Sequence, residues 1–485
     1  MQMKRHISPL LSPSRFRTLR ILAIVCLALH SIANAQTWNL TWSDEFNGTT
    51  IDTTKWGFDY GNLNVNNELE YYCGPVGDPN NQSPCNSQNP NAYLDGSGHL
   101  FIQAFEVSSS TAPYSNGWTS ARLKTANLAT FQYGRIESSM QLPTGAGLWP
   151  AFWALGTNIG SVGWPACGEQ DYMENVPASA GLGPTVISST LHGPTYHGSN
   201  GLQGKYTFPN GGRVDTAYHT YGAIWSPFMV QFYVDDPSNV FFVKTASDVP
   251  SGTSEWAFNH PFSLLLNLAV GGTGSWPGPP DNTTPSPAVM TVDYVRQYTA
   301  SPVTPPSLGN PAAITVKAGA TSGNTSTVNL ISTSDIGRVY LSCSTTAPQA
   351  SCAITSSDTL DIYTVDFSQS LTPTATVAIT TTANTSQAGI FGNSRTEATA
   401  SFVILAMVLL SLLTQSARWR LRVGLSGLLL GVLLTPSCGG GSSGTGVGGG
   451  GGTTPGNYTI NVSAYTVSNT GGAADATANI ALTVN

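Results

Sequence analysis

The stretch GEQDYMENV places three carboxylates, Glu169, Asp171 and Glu174, within six positions. Side chains of a β-strand alternate between its two faces, so Glu169 and Asp171 would share a face and Glu174 would point the other way. The neighbouring sequence is apolar and aromatic, with GLWPAFWALG at 147–156 and VGWPACG at 162–168. Carboxylates in such surroundings carry a desolvation cost, and we therefore expect them to perform chemistry.

Two carboxyl groups facing one groove are what glycoside hydrolysis requires. A retaining glycosidase places them about 5–5.5 Å apart, one as nucleophile and one as general acid/base. All three acids can face one groove if an extra residue bulges out between Asp171 and Glu174. A β-bulge sets two residues opposite one, which resets the alternation, and bulges are frequent beside active sites. We predict this bulge at Tyr172 and Met173.

Composition restricts the class of protein that carries this motif. The chain has 485 residues, which predicts two or more domains. Only 9% of the residues are charged, whereas 51 are glycine and 9% are aromatic, a balance that suits β-sandwiches with long loops and argues against disorder. The net charge is −7 and no basic run with interleaved aromatics is present, so we predict no nucleic-acid partner.

The elements that must position the carboxylates are predicted to be strands. Between residues 37 and 299 the sequence consists of short alternating stretches, such as LFIQAFEV (100–107) and FSLLLNLAV (262–270), separated by turn signals. No long stretch in this segment has helical periodicity. The pattern favours an antiparallel all-β architecture of a length that one β domain can have.

The N-terminal segment has the pattern of a signal peptide. Basic residues precede the apolar run ILAIVCLAL at 21–29, and the sequence Ala33-Asn34-Ala35 then fits the small-x-small cleavage rule. We therefore predict that residues 1–35 direct secretion. The alternative is an anchor helix, for which the apolar run is too short to span a bilayer comfortably.

Further along the chain, composition divides the sequence into separate regions. The Pro-rich stretch 301–311 is a predicted linker that follows a catalytic domain of residues 36–300. Segments 312–383 and 457–485 share a composition rich in Thr, Ser and Val. We predict that together they form one small immunoglobulin-like β-domain. Residues 384–456 interrupt it as an insertion. A spacer or tether is the favoured role of this region over a carbohydrate-binding module, because no cluster of aromatics stands out.

The insertion contains two apolar runs, 402–413 and 423–434, around an Arg-rich turn and before a Gly-rich linker. Each run is shorter than the roughly 20 residues that cross a bilayer as a helix. Three interpretations stay open: a tight membrane hairpin with its Arg turn in the cytoplasm, a buried helical pair, or a lipoprotein-like tether at Cys438. Membrane association through residues 402–434 is therefore one of the alternatives.

The cysteines can form disulfides in an exported protein. We predict two pairs, Cys73 with Cys85 and Cys343 with Cys352, because each pair closes a short polar loop. Cys167 precedes the carboxylates and is expected to remain a buried thiol. Other pairings stay open at the level of sequence.

The motif GEQDYMENV resembles the active-site strand of glycoside hydrolase family 16 in its bulged form. The resemblance extends over most of residues 38–299 and implies a β-jelly-roll sandwich whose concave sheet forms an open substrate cleft. The blocks that carry it occur in the family's order and are WSDEFNG (42–48), NNELEYY (66–72), YGRIESSMQLPTGAGLWPAFWALG (133–156), HTYGAIWSP (219–227), LLLNLAVGG (264–272) and VDYVRQY (292–298).

This resemblance implies a role for each carboxylate. Glu169 matches the nucleophile, Glu174 matches the general acid/base, and Asp171 matches the assisting carboxylate between them. Clustered carboxyls cannot all ionise freely, which suits a site where one must stay protonated. Gln170 departs from the family, which usually has an aliphatic residue there. Its amide should face the second sheet and needs a hydrogen-bond partner.

The resemblance also implies residues that contact the substrate. Sugars present apolar ring faces, for which tryptophan side chains are natural platforms, although a single tryptophan is also common in a protein core. Histidine offers both a donor and an acceptor to sugar hydroxyls. The predicted substrate-binding residues are Trp149, Trp153, Trp164, His192, Asn67, Arg122 and Trp276.

A structural calcium ion is a further implication of the resemblance. Glu45, a backbone carbonyl near Gly98 and Asp293 would meet on the convex face, far from the cleft, and hard oxygen ligands suit this ion. The alternative is that Glu45 and Asp293 are ordinary surface acids. No cofactor is expected to be required for catalysis.

Together these features predict a secreted, monomeric, endo-acting β-glucanase that cleaves β-1,3-glucan of the laminarin type with retention of configuration. The bulged motif with its methionine and the GLWPAFW block resemble laminarinases. Alternatives within the same fold are enzymes acting on mixed-linkage glucan, agarose or carrageenan. A non-catalytic glucan-binding protein is the alternative from another class, and the presence of all three carboxylates argues against it.

Overall fold

The structure is a computed structural model, and it describes residues 36–86, 88–107, 117–250, 255–383 and 451–485. The predicted signal peptide and the two apolar runs of the insertion lie outside these ranges. Within them, no helix is long and apolar enough to cross a membrane.

The N-terminal region folds as a sandwich of short strands, as the alternating pattern predicts. Its helical elements are one turn of α-helix, α1 (Ile159–Val162), and 3-10 turns at Ala178–Ala180, Gly198–Asn200, Pro209–Gly211 and Ala246–Asp248. Its strands are β1 (Trp38–Asp44), β2 (Gly57–Phe58), β3 (Glu70–Tyr72), β4 (Ala92–Leu94), β5 (Leu100–Glu106), β6 (Trp118–Ser120), β7 (Arg122–Lys124), β8 (Gly134–Gln141), β9 (Leu148–Gly156), β10 (Glu169–Glu174), β11 (Val186–His192), β12 (Leu202–Thr207), β13 (His219–Ser226), β14 (Met229–Val234), β15 (Val240–Thr245), β16 (Phe262–Val270) and β17 (Ala288–Ala300).

These strands form two sheets, which confirms the predicted all-β sandwich. We call the first the catalytic sheet; its seven antiparallel strands have the order β12-β11-β10-β9-β16-β7-β2. The outer sheet has ten strands along the order β15-β14-β13-β8-β17-β5-β6-β3, with β1 added beside β17 and β4 beside β5. The carboxylate strand β10 therefore lies inside the catalytic sheet, fixed by hydrogen bonds on both sides.

The alternation of strand β9 explains how one sheet serves both a core and a cleft. Leu148, Phe152 and Ala154 point into the sandwich and are fully buried, while Trp149 and Trp153 point out from the same strand and stay partly exposed. Burying each large apolar side chain contributes about 1.5–3 kcal/mol, which fixes the register of the strand. The inward residues therefore determine that both tryptophans face outward beside β10.

The C-terminal region forms a second, smaller sandwich with its own apolar core. The two strands that follow the insertion pair with each other and with strands that precede it, so both segments build one unit. One sheet has the order β18-β20-β24-β22 and the other β19-β26-β25-β21-β23. The strands are β18 (Ser307–Leu308), β19 (Ile314–Val316), β20 (Thr325–Ile331), β21 (Arg338–Thr345), β22 (Ala350–Ser356), β23 (Thr364–Asp366), β24 (Thr374–Thr381), β25 (Gly456–Tyr465) and β26 (Ala476–Val484).

The second sandwich packs against the outer sheet of the first. Phe228, in the β13–β14 turn, contacts the rings of Tyr340 and Tyr465, with ring centroids 5.8 and 4.8 Å away. Arg338 is buried, pairs with Asp358 at 2.6 Å and donates a hydrogen bond to the Gln231 side chain of β14 at 3.1 Å. These contacts come from the outer sheet and its turns, so the described part of the second sandwich does not cover the outward face of the catalytic sheet.

Candidate active site

Strand β10 contains the predicted bulge. Against β9, Asp171 lies opposite Trp153 and Met173 lies opposite Phe152, which leaves Tyr172 as the extra residue. The pairing with β11 shifts over the same interval, between Asp171 and Glu174. Tyr172 turns into the core, where it packs against Phe152 with ring centroids 4.9 Å apart. As a result, Glu174 returns to the face that Glu169 and Asp171 share.

An indole N–H orients each of the two glutamates. Trp164 donates to Glu169 Oε2 at 2.8 Å, and Trp149 donates to Glu174 Oε1 at 3.0 Å. The hydroxyl of Thr190, on the adjacent strand β11, donates to Glu174 Oε2 at 3.4 Å. Such bonds compensate part of the desolvation that burial imposes on a carboxylate. They hold one oxygen of Glu169 and both oxygens of Glu174, so both side chains have a defined orientation.

Burial and mutual repulsion keep protons on this cluster. Burial, with the charge of Asp171, raises the pKa of Glu169 to about 8. Burial also raises the pKa of Glu174 to about 7, against the opposing influence of His192. The pKa of Asp171 is raised well above its usual range by burial and by Glu174. Because the three groups titrate as a unit, at least one proton is retained near neutral pH.

His192, at the end of β11, faces the carboxylates directly. Its Nε2 lies 3.2 Å from Asp171 Oδ2 and 3.8 Å from Glu169 Oε1, and its side chain is 12% exposed. Gly201 makes room for the ring, since a Cβ there would lie 2.6 Å from the imidazole. The structure therefore brings His192 to the catalytic centre, where the resemblance expected it, and Gly201 is a supporting residue that sequence analysis missed.

Trp153 is held by a polar network on the same face. Its Nε1 donates to Asn267 Oδ1 at 2.7 Å, and Asn267 Nδ2 donates to the Tyr72 hydroxyl at 3.2 Å. The guanidinium of Arg122 lies 4.7 Å from the Trp153 ring centroid and pairs with Asp59 at 3.0 Å. Asn267 was not predicted from the sequence, although it is the one amide in the apolar strand FSLLLNLAV. Arg122 thus packs over the ring of Trp153.

Two loops extend the site at the other end of β9. Trp276 packs edge to face against Trp149, with ring centroids 5.6 Å apart. Asn67 adopts a left-handed conformation, φ +57°, and its carbonyl accepts a hydrogen bond from the Gly272 N–H at 2.8 Å. Asn67 is thereby fixed to the loop that carries Trp276. The other predicted substrate-binding residues lie on β9 or β11 or contact a residue of β9 or β10, whereas Asn67 joins them only through the loop of Trp276. Their contact with substrate stays a prediction.

The predicted calcium ligands lie apart from this site and fit the ion only in part. Both oxygens of the Glu45 carboxylate accept hydrogen bonds from Arg296, at 2.9 and 2.7 Å. A Cβ on Gly98 would lie 3.8 Å from the Glu45 carbonyl oxygen, so these two backbones are adjacent. Asp293 lies at a register shift in β17. The Glu45 carboxylate is thus already paired with Arg296, and main-chain oxygens are the ligands that remain available to an ion. Calcium binding stays a prediction.

The cysteines pair as predicted. Disulfides join Cys73 to Cys85 and Cys343 to Cys352, and Cys167 is a buried thiol. Burial and the nearby Glu169 raise the pKa of the Cys167 thiol to about 11, so it stays protonated beside the active site.

Comparison with known proteins identifies close relatives of the first sandwich. The family model for glycosyl hydrolases family 16 matches residues 82–296. A beta-glucanase of Rhodothermus marinus is 36% identical over 271 residues, covering 54% of this chain and 85% of that protein. The glucan endo-1,3-beta-glucosidase A1 of Niallia circulans is 35% identical over 269 residues, covering 54% of this chain but only 38% of that protein.

Among solved structures, the endo-beta-1,3-glucanase from Pyrococcus furiosus is 39% identical and covers 55% of this chain and 97% of its own, with a TM-score of 0.48. The chain therefore spans nearly all of that structure, but well under half of the Niallia protein.

Gln170 is the departure from the family, and the structure gives its amide no partner. The residue is fully buried, and neither Oε1 nor Nε2 makes a hydrogen bond. A buried unsatisfied polar group costs about 1–3 kcal/mol.

We expect Gln170→Leu to increase the free energy of unfolding by about that amount, measured by urea denaturation. Gln203→Leu, at an exposed position of β12, is the matched control and should have little effect. Destabilisation by Gln170→Leu would show that the amide is satisfied in solution.

The raised pKa of Glu169 also predicts a pH-dependent stability. Its folded pKa is about 8 against an ordinary value of 4.5, so the folded state binds a proton that the unfolded state releases between these pH values. Stability therefore falls as pH rises through this window. We expect Glu169→Gln to raise the melting temperature at pH 8 by several degrees, on the order of 5 °C.

At pH 4 the same substitution should have much less effect, because Glu169 is mostly protonated in both states of the wild type. Glu106→Gln, at an exposed position of β5, is the control and should give no gain at either pH. An equal gain from Glu169→Gln at both pH values would contradict the pKa assignment.

Proposed function

This chain belongs to glycosyl hydrolase family 16, and from that membership we propose that it hydrolyses β-1,3-glucan of the laminarin type as an endo-acting, retaining enzyme. The main support for the proposal is the bulge of β10, which brings Glu169, Asp171 and Glu174 to one face of the catalytic sheet. Its similarity to a beta-glucanase and to a glucan endo-1,3-beta-glucosidase supports β-glucan as the substrate.

In the first step, a Glu169 oxygen attacks the anomeric carbon while Glu174 donates its proton to the departing glycosidic oxygen. The bond from the anomeric carbon to the leaving group breaks and a glycosyl ester on Glu169 forms. The raised pKa of Glu174 keeps the required proton available near neutral pH. Glu169 must be ionised at this moment. Its proton can pass to Asp171, whose pKa burial also raises, so the cluster as a whole keeps that proton.

In the second step, the ionised Glu174 removes a proton from water, and the resulting hydroxyl attacks the anomeric carbon. The ester to Glu169 breaks, Glu169 leaves as a carboxylate, and Glu174 regains its proton. The Trp164 N–H supports this departure because it donates to Glu169 Oε2 and favours the ionised form. Two displacements at one carbon return the original configuration.

The outward tryptophans suit a polysaccharide that lies along the sheet. Trp153 and Trp149 flank the carboxylates on β9, and Trp164 is 47% exposed beside Glu169. Flat indole surfaces bind the apolar faces of sugar rings, and their fixed N–H groups prevent the rings from turning inward. Since the second sandwich, within the described residues, does not cover this face, a glucan can bind there at internal positions, which supports endo rather than exo cleavage.

The cellular context of the proposal comes from sequence alone. We propose secretion directed by residues 1–35 and action as a monomer, with the second sandwich as a spacer. A membrane tether through residues 402–434 remains the alternative to free release.

We expect Glu169→Gln to reduce laminarin hydrolysis by at least about 10³-fold, because the amide cannot form the glycosyl ester. Glu174→Gln should lose most activity on laminarin but less on an aryl glycoside whose leaving group needs no protonation. Reducing-end release and product chromatography on a panel of purified β-glucans measure both effects and establish the linkage. Glu106→Gln is the control with unchanged activity. Unchanged hydrolysis by Glu169→Gln would contradict its assignment as nucleophile.

We also propose a structural calcium ion at the Glu45, Gly98 and Asp293 region. Removing it should lower the melting temperature of the first sandwich by a few degrees, since ligand binding to the folded state adds stability in proportion to the logarithm of occupancy. Thermal unfolding with EDTA and with added calcium chloride measures the difference. Identical unfolding curves would count against the ion.

A further inference from the structure

The catalytic centre also has the composition of a metal site. Of the residues that the structure describes, Glu169, Asp171 and His192 are the one group of three or more acidic, histidine or cysteine side chains whose ligand atoms lie close together, all within 4.8 Å. The set offers one imidazole nitrogen and two carboxylate oxygens. Zinc accepts both histidine nitrogen and carboxylate oxygen as ligands, whereas calcium and magnesium prefer oxygen alone.

The distances between these atoms suit ligands of one ion. Zinc bonds of about 2.0–2.2 Å in a tetrahedral arrangement put neighbouring ligand atoms about 3.4 Å apart. His192 Nε2 lies 3.2 Å from Asp171 Oδ2 and 3.8 Å from Glu169 Oε1. Small side-chain movements would therefore bring all three atoms into the first coordination shell.

The two oxygens that would bind the ion both face the His192 ring. Asp171 is 3% exposed, and its Oδ2 lies 3.2 Å from His192 Nε2 without forming a hydrogen bond. Glu169 uses Oε2 to accept the Trp164 N–H, which leaves Oε1 toward His192. A buried carboxylate oxygen without a hydrogen bond is costly, and a cation would remove that cost.

We propose that Glu169, Asp171 and His192 bind a zinc-like divalent cation, and that the bound ion inhibits the enzyme reversibly. Three protein ligands leave the fourth coordination position open toward the cleft, where a water molecule completes the shell. The same three atoms face the position that the anomeric carbon must occupy. Zinc and glucan therefore exclude each other, and the nucleophile is unavailable while the ion is bound.

The affinity should be moderate. A histidine in a tight zinc site donates its second ring N–H to a carboxylate or carbonyl, and His192 Nδ1 has no such partner. The occupancy of this inhibitory site should therefore follow the concentration of free metal. Glucan hydrolysis itself needs no ion at this site.

Titration calorimetry of the full-length protein with zinc chloride, in excess calcium chloride and without glucan, tests the site. We expect one zinc ion to bind, and Asp171→Asn and His192→Gln each to weaken its affinity at least tenfold. His99→Gln is the matched control, because His99 also lies beside a carboxylate, Asp95, at 2.8 Å but on the surface. It should leave zinc affinity unchanged.

Circular dichroism of the variants confirms that they are folded, and a second readout uses the wild type alone. Zinc should raise the apparent KM for laminarin without changing kcat, and removal of zinc by dialysis should restore the KM. No zinc binding, or binding that His99→Gln abolishes and both active-site variants retain, would overturn the proposal. Because binding is measured without glucan, an inactive protein that still binds zinc would count against the glucanase function and not against the metal site.

Discussion

The direction of one side chain on strand β10 decides whether this sheet can hold an active site. Regular alternation would bury Glu174 among the apolar residues between the two sheets. The extra residue, Tyr172, turns into the core and packs there, and Glu174 consequently faces outward with Glu169 and Asp171. The bulge is stabilised by the same apolar packing that holds the sandwich together, so core and chemistry depend on one another.

Grouping three carboxyls creates an electrostatic cost that the surrounding residues limit without removing. The indoles of Trp149 and Trp164 donate to Glu174 and Glu169, and His192 lies beside Asp171. The raised pKa values that remain are useful, since an acid catalyst must hold its proton at neutral pH. The residual repulsion also makes the centre receptive to positive charge, whether a developing oxocarbenium ion or a metal cation.

The sequence was sufficient to predict the fold class, the bulge and both disulfides, because spacing and alternation express them directly. It could not predict contacts between residues distant in the chain. Asn267 supports Trp153 from the neighbouring strand, and Gly201 makes room for the His192 ring from another. The pairing of Glu45 with Arg296 joins positions some 250 residues apart and competes with the predicted calcium ligation. Gln170 was recognised as anomalous, and its fully buried amide remains without a partner or an explanation.

The central claim is that Glu169 acts as a nucleophile in a double displacement on β-glucan. Proton NMR of the reducing-end anomer, recorded in the first minutes of laminarin hydrolysis before mutarotation, tests it most directly. Retention predicts that the β-anomer appears first and the α-anomer follows only as the sugar equilibrates. Initial release of the α-anomer would mean inversion by a single displacement and would exclude Glu169 as a nucleophile.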